Sequence, residues 1–113
     1  MKHKTMNMKL NDAPFETIKN GTKTIELRLY DEKRRKIKIG DTICFKGKAG
    51  TITAIVKALH IFRNFDELYA ALPLDKCGYA PNEISTASPE DMLEYYSKEQ
   101  IEKYGVVGIE IEI

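Results

Sequence analysis

Residues 24–30, Thr-Ile-Glu-Leu-Arg-Leu-Tyr, alternate without a break. Side chains of a strand point to opposite faces in turn, so Ile25, Leu27 and Leu29 share one side and Thr24, Glu26, Arg28 and Tyr30 the other. One face is thereby committed to a core, and the reverse carries a carboxylate and a guanidinium two residues apart. The preceding segment, Asp12 to Gly21, reads as a short helix. Asp12 or Asn11 suits the N-cap, Pro14 falls where a first-turn proline is tolerated, and Lys19 lies in the last turn. Gly21 suits a left-handed C-terminal cap. Lys23 therefore leaves a helix end and enters a strand, where a side chain can be held rigidly over a cleft.

The 113-residue chain fits one domain, 1–113, with enough length for a core that needs no staples. Apolar runs are too short to span a membrane. The basic start, Met1-Lys2-His3-Lys4, is not followed by an apolar signal core, which points to a cytoplasmic protein with no membrane partner. Cys44 and Cys77 lack metal-ligand spacing and are expected as reduced thiols, Cys44 buried in a strand. Net charge is +1, but residues 1–65 hold 15 Lys and Arg against 6 Asp and Glu, while residues 66–113 hold 3 against 11. A basic half is compatible with a phosphate-bearing partner, and equally with two halves that attract each other within one fold.

Along the chain, strands are expected at Met6–Leu10, Thr24–Tyr30, Thr42–Lys46, Thr51–His60 and Val106–Ile113. The run Lys33-Arg34-Arg35-Lys36-Ile37-Lys38, five bases in six positions, reads as a charged loop, and Ile39-Gly40-Asp41 as a turn. Gly47-Lys48-Ala49-Gly50 is a hairpin signal. The far side of the fourth strand is not purely polar, which predicts burial on both faces along part of its length. Asn64 caps a helix over Phe65–Ala71 with Phe65, Leu68 and Tyr69 at helical spacing. Leu74–Ser88, rich in Pro, Gly, Ser and Asn, reads as a surface excursion. Ser88-Pro89-Glu90-Asp91 starts a helix that carries Met92, Leu93 and Tyr96 inward, and Ser97 caps another through Lys103. Short strands around two helical excursions predict an α+β fold built on a small mixed barrel.

The pattern Gly21-x-Lys23-x-x-Glu26-x-Arg28, followed by Gly40-Asp41, resembles the ASCH family. The likeness continues through Phe62–Leu68, Tyr95-Tyr96-Ser97 and Tyr104-Gly105-Val106-Val107-Gly108-Ile109, covering nearly the whole chain. It implies a PUA-like β-barrel with a cleft lined by the Lys, Glu and Arg of the motif. It also implies recognition of RNA or a nucleotide-like molecule, since PUA-like barrels commonly bind RNA. Some small bacterial relatives are amidohydrolases acting on acetylated cytidine, in which the Lys works with a Thr three residues later and a downstream Glu. Lys23 matches that Lys, Glu26 stands at the Thr position, and Glu83 and Glu90 are the nearest candidates for the downstream Glu.

Read as chemistry, Lys23 can contact phosphate or, in an enzyme, serve with Glu26 as a catalytic residue. Glu26 and Arg28 can pair structurally, or Arg28, held by Glu26, can present donors to a phosphate or base edge. Arg34 and Arg35 of the basic run would flank the cleft and gather a polyanion. Tyr95 and Tyr96 diverge by about 100° on a helix, so at most one faces the core squarely and the other can stack on a base. The resemblance favours Tyr96 for the cleft. His60 has no partner at ligand spacing, so no metal site, cofactor or Ser-His or Cys-His arrangement is expected. The sequence thus leaves three classes: RNA or nucleotide binding, nucleoside amidohydrolysis with Lys23, and a protein-interaction module.

Overall fold

The computed structural model describes residues 3–113; Met1 and Lys2, the first half of the basic start, lie outside the described residues. Five strands, β1 (Thr5–Lys9), β2 (Ile25–Leu29), β3 (Thr42–Gly47), β4 (Gly50–Phe62) and β5 (Val106–Glu112), form one sheet in the order β1-β3-β4-β5-β2. The pair β1–β3 is parallel and the other three pairs are antiparallel. The sheet curls into a half-barrel with short helices around it, the PUA-like α+β architecture that the resemblance implies. Its free edges are β1 and β2.

Helix α1 (Asp12–Lys19) connects those two edges, burying Phe15 and Ile18 in the sheet's inner face. Gly21, at φ +84°, ends it in the conformation expected of that residue. The hairpin between β3 and β4 turns through Lys48 and Ala49, with Gly47 and Gly50 as the closing pair. Helix α2 (Phe65–Ala71) begins at Asn64, whose side chain accepts the Glu67 amide. Helix α3 (Lys98–Tyr104) begins with a reciprocal capping box between Ser97 and Gln100.

The core has two parts, one on each face of β2 and β5. Met8, Phe15, Ile43, Phe45, Val56, Val107 and Ile109 fill the inside of the curl. Ile25, Leu27 and Leu29 pack outside it with Phe65, Leu68, Met92 and Val106. Gly108 lets this outer layer close: a Cβ there would stand 2.7 Å from Leu72 Cδ1.

Three details depart from the sequence-based expectations, and a fourth, two-sided burial of β4, holds only over a short stretch. Ile52, Ala54 and Val56 point inward, and a register shift between Val56 and Ala58 then changes the phase, so that Leu59 resumes the inward series opposite Ile109. Ile55 is exposed on the outer face, and only Ala58–His60 are part-buried in succession. The cysteines are also exchanged: Cys44, on the outer side of β3, is only half-buried, while Cys77 is buried in the surface excursion. Ser88 does cap a helical segment with Asp91, but Pro89–Glu94 winds as a 3₁₀ helix. In that winding Met92 is buried and Leu93 is exposed.

Candidate functional site

Antiparallel register sets Glu26 opposite Ile109 and Arg28 opposite Val107, so both charged side chains point into the curl rather than away from it. Glu26 is consequently 4% exposed. A lone carboxylate there would be costly, and two cations hold it. Lys23 Nζ lies 2.7 Å from Oε1, and Arg28 donates to Oε2 through Nε at 3.0 Å and Nη2 at 2.8 Å. Burial by itself pushes the Glu26 carboxyl up. Lys23 and then Arg28 outweigh it, so the group is held below its ordinary value and carries its charge.

Two neighbouring segments fix the cations. Arg28 Nη2 also donates to the Lys9 carbonyl at 2.8 Å, crossing from β2 to β1. The amides of Thr24 and Ile25 both bond the Lys76 carbonyl, which clamps the excursion against the start of β2. Gly78, at φ +111°, then lies against the lysine stem; a Cβ there would stand 3.3 Å from Lys23 Cδ. Lys23 is thus nine-tenths buried along its side chain and ends at a carboxylate.

These groups floor a cleft of about 920 Å³. One wall carries Lys9, Lys46 and Lys48 with the start of α1, and the other carries Tyr79, Glu83, Asp91, Glu94, Tyr95 and Tyr96. Tyr96 stacks on Phe65, with ring centres 6.3 Å apart, while its edge reaches the cleft. Tyr95 is 58% exposed on the same wall. A chain of hydroxyls stiffens that wall: Tyr69 and Tyr79 oxygens are 2.6 Å apart, and Tyr79 donates to Asp91 at 2.7 Å. Burial and these hydrogen bonds push the Tyr79 phenol well up, so it enters the cleft as a neutral group.

The motif residues Lys23, Glu26 and Arg28 and the aromatic Tyr96 are therefore brought together. The basic run is not part of that lining. Arg34 pairs with Asp31 at 2.9 Å. Arg35 lies over the Tyr30 ring at 4.4 Å and donates to the Tyr104 carbonyl, along a separate concavity that also includes Glu90. Lys33 donates to the Asn7 carbonyl. Three of the five bases thus hold the fold's own groups. Of the two downstream glutamates, Glu83 borders the Lys23 cleft and Glu90 does not. His60 pairs with Glu110 at 3.0 Å on the outer face, and no group of three metal-ligating side chains occurs among the described residues. No helix among them is long and apolar enough to cross a membrane.

Sequence reasoning missed Lys9, Gly78, Tyr79 and Asp91. The excursion that supplies Gly78 and Tyr79 carries one cue, a tyrosine beside glycine, but nothing local says that Tyr79 faces Lys23, and Asp91 follows in the 3₁₀ helix.

The ASCH domain profile matches residues 8–113. Among solved structures, the crystal structure of hypothetical protein PH0355 superposes with a TM-score of 0.80 at 37% identity, covering 96% of this chain and 97% of that one. The solution NMR structure of protein PF0455 from Pyrococcus furiosus gives 0.71 at 38% identity, covering 96% of each chain. No curated protein matches the chain. With the family's profile spanning all but the first seven residues, and the Gly21-x-Lys23-x-x-Glu26-x-Arg28 motif at the floor of the cleft, this chain belongs to the ASCH domain family.

Proposed function

We propose that this protein binds RNA or a nucleotide-like molecule in the Lys23–Glu26–Arg28 cleft, as a cytoplasmic protein. The observation that carries the reading is the buried Lys23–Glu26–Arg28 cluster facing a cleft with exposed aromatic surface. Both Glu26 oxygens are occupied by cations, so what remains on offer at the floor is donors: the rest of the Lys23 ammonium and the Arg28 guanidinium. Such donors suit phosphate oxygens and the carbonyl or ring-nitrogen acceptors of a base edge. Tyr95 and the edge of Tyr96 supply a surface on which a base can stack.

The test is fluorescence anisotropy with short single-stranded and hairpin RNAs at two salt concentrations. Wild type binds in a salt-sensitive manner, and Lys23→Ala weakens binding and flattens its salt slope. Equal affinity and slope in the two proteins refute the assignment.

One observation favours a second reading, a nucleoside amidohydrolase: Glu83 borders the same cleft as Lys23. Incubation with acetylcytidine decides it, because free cytidine must appear with wild type and fall to background with Lys23→Ala. Absence of cytidine with wild type removes that substrate.

A further inference from the structure

We infer that the wall formed by Lys9, Lys46 and Lys48 is a phosphate subsite, so that the unit taken by the cleft is a nucleotide rather than a bare nucleoside. This deepens the reading above and rests on it.

The argument starts from an uncompensated repulsion. Lys9 and Lys46 are register partners on the neighbouring parallel strands β1 and β3; their side chains leave the outer face of the sheet, the face of Cys44, at the strand ends that border the cleft. Both are exposed, and Lys48 follows two residues later in the hairpin. Like charges directly opposite each other on a sheet are destabilising. Elsewhere in the molecule lysines find partners: Lys4 meets Asp41, Lys23 meets Glu26, and Lys57 meets Glu112. Among the described residues none of the three wall lysines has a carboxylate within ion-pairing distance.

The surroundings add to the positive field. Asn11 and Ala13 at the start of α1 line the same part of the cleft, and the Asn11 side chain makes no capping bond to the first amides. A helix start left open in this way attracts anions, and the one acid in its first turn, Asp12, is not among the residues lining the cleft. Lys23, nine-tenths buried, uses one of its three donors on Glu26 and has no other partner among the described residues. The acids of the cleft, Glu83, Asp91 and Glu94, stand on the tyrosine wall instead, where Asp91 is committed to the Tyr79 hydroxyl and the Ser88 amide. An anion is therefore favoured on one side only, across from the aromatic surface. A nucleotide has that polarity, with phosphate at one end and a stacking base at the other.

The experiment is calorimetric titration of wild type, of Lys23→Ala, and of a Lys9→Gln/Lys46→Gln/Lys48→Gln variant. The probes are the four common ribonucleosides, their 5′- and 3′-monophosphates, and a short single-stranded RNA. The substituted lysines are exposed, so the variant keeps its fold, checked by circular dichroism. Wild type is expected to bind a monophosphate about tenfold more tightly than its nucleoside, the gain from one charge-assisted contact. The triple variant brings the two within about twofold and leaves nucleoside affinity unchanged. For the RNA it lowers the salt slope by about two, and this arm decides if only the oligonucleotide binds measurably. Equal binding of nucleoside and monophosphate to wild type, or a phosphate advantage and RNA slope that survive in the triple variant, overturns the subsite. If that result comes with nucleoside binding lost in Lys23→Ala, the cleft remains a nucleoside site and only the inference fails. No binding of any probe overturns both.

Discussion

Arg28 joins Lys9 across the seam of the sheet. Its Nη2 donates to the Lys9 carbonyl and to Glu26 Oε2, each at 2.8 Å, so one guanidinium both neutralises a buried carboxylate and fastens edge strand β2 to edge strand β1. Lys33 fastens the same edge two residues away, at the Asn7 carbonyl. The two free edges of the curl are thus linked by side chains where no strand ladder joins them. The cleft opens along this link, which ties the geometry of the candidate site to closure of the fold.

Removing that link is expected to cost more than a surface ion pair. Arg28→Ala leaves Glu26 buried with one cation and releases the β1 edge, and a loss of about 3 kcal/mol is expected. Urea denaturation followed by circular dichroism measures it. A loss comparable to an exposed pair, below about 1 kcal/mol, contradicts the role given to Arg28.

The Glu26 carboxyl has a definite signature in acid. Its value in the folded protein lies below the ordinary one, so it contributes stability above the usual carboxylate range, and that contribution is lost as pH falls through the lowered value. Buried Asp41 acts in the same direction; burial pushes it up, but the Lys4 and Lys38 amides and the Lys4 ammonium hold it down. Stability of wild type should decline on acidification, and Glu26→Gln should make that decline shallower at the expense of stability at neutral pH. An unchanged acid slope in Glu26→Gln would show that the carboxylate is not held as described.

Gly78 tests how Lys23 is positioned. Its backbone is in the left-handed region and its missing side chain leaves room for the lysine stem. Gly78→Ala should lower stability by about 1 kcal/mol or more and weaken RNA binding in the same variant. Thermal unfolding and anisotropy read the two effects, and normal binding in a destabilised protein would remove Gly78 from the site.

The thiols make a chemical probe of the excursion. Burial pushes Cys77 up to about 11, with Lys23 opposing, whereas Cys44 is half-buried on the outer side of β3. Iodoacetamide at pH 8 should label Cys44 well before Cys77. Mass spectrometry of the peptides checks the order, and early labelling of Cys77 means that the excursion does not seal Lys23.

Much of this arrangement was legible in the sequence because it is local. Alternation over 24–30 set the faces of β2, Gly21 ended α1, and Asn64, Ser88 and Ser97 marked the helix starts. The family pattern rests on residues within one helix, one turn and one strand. What could not be read depends on distant register. The phase change between Val56 and Ala58 is set by pairing with β5, so alternation in β4 alone could not place Leu59 on the inner face. Burial of Cys77 instead of Cys44 follows from the Lys76 carbonyl docking on β2, a contact across some fifty residues of chain. The basic run was dense enough to suggest a ligand surface, yet Arg34 and Arg35 find partners in Asp31, Tyr30 and the Tyr104 carbonyl.

The account stands or falls on where the ligand sits. Amide chemical-shift mapping with a short single-stranded RNA tests this directly. Shifts are expected at Lys9, Lys23, Glu26, Arg28, Gly78, Tyr95 and Tyr96, with little change at Arg35, Lys36 and Lys38. Shifts centred on Arg35–Lys38, or on the separate concavity around Arg63 and Tyr104, would contradict it.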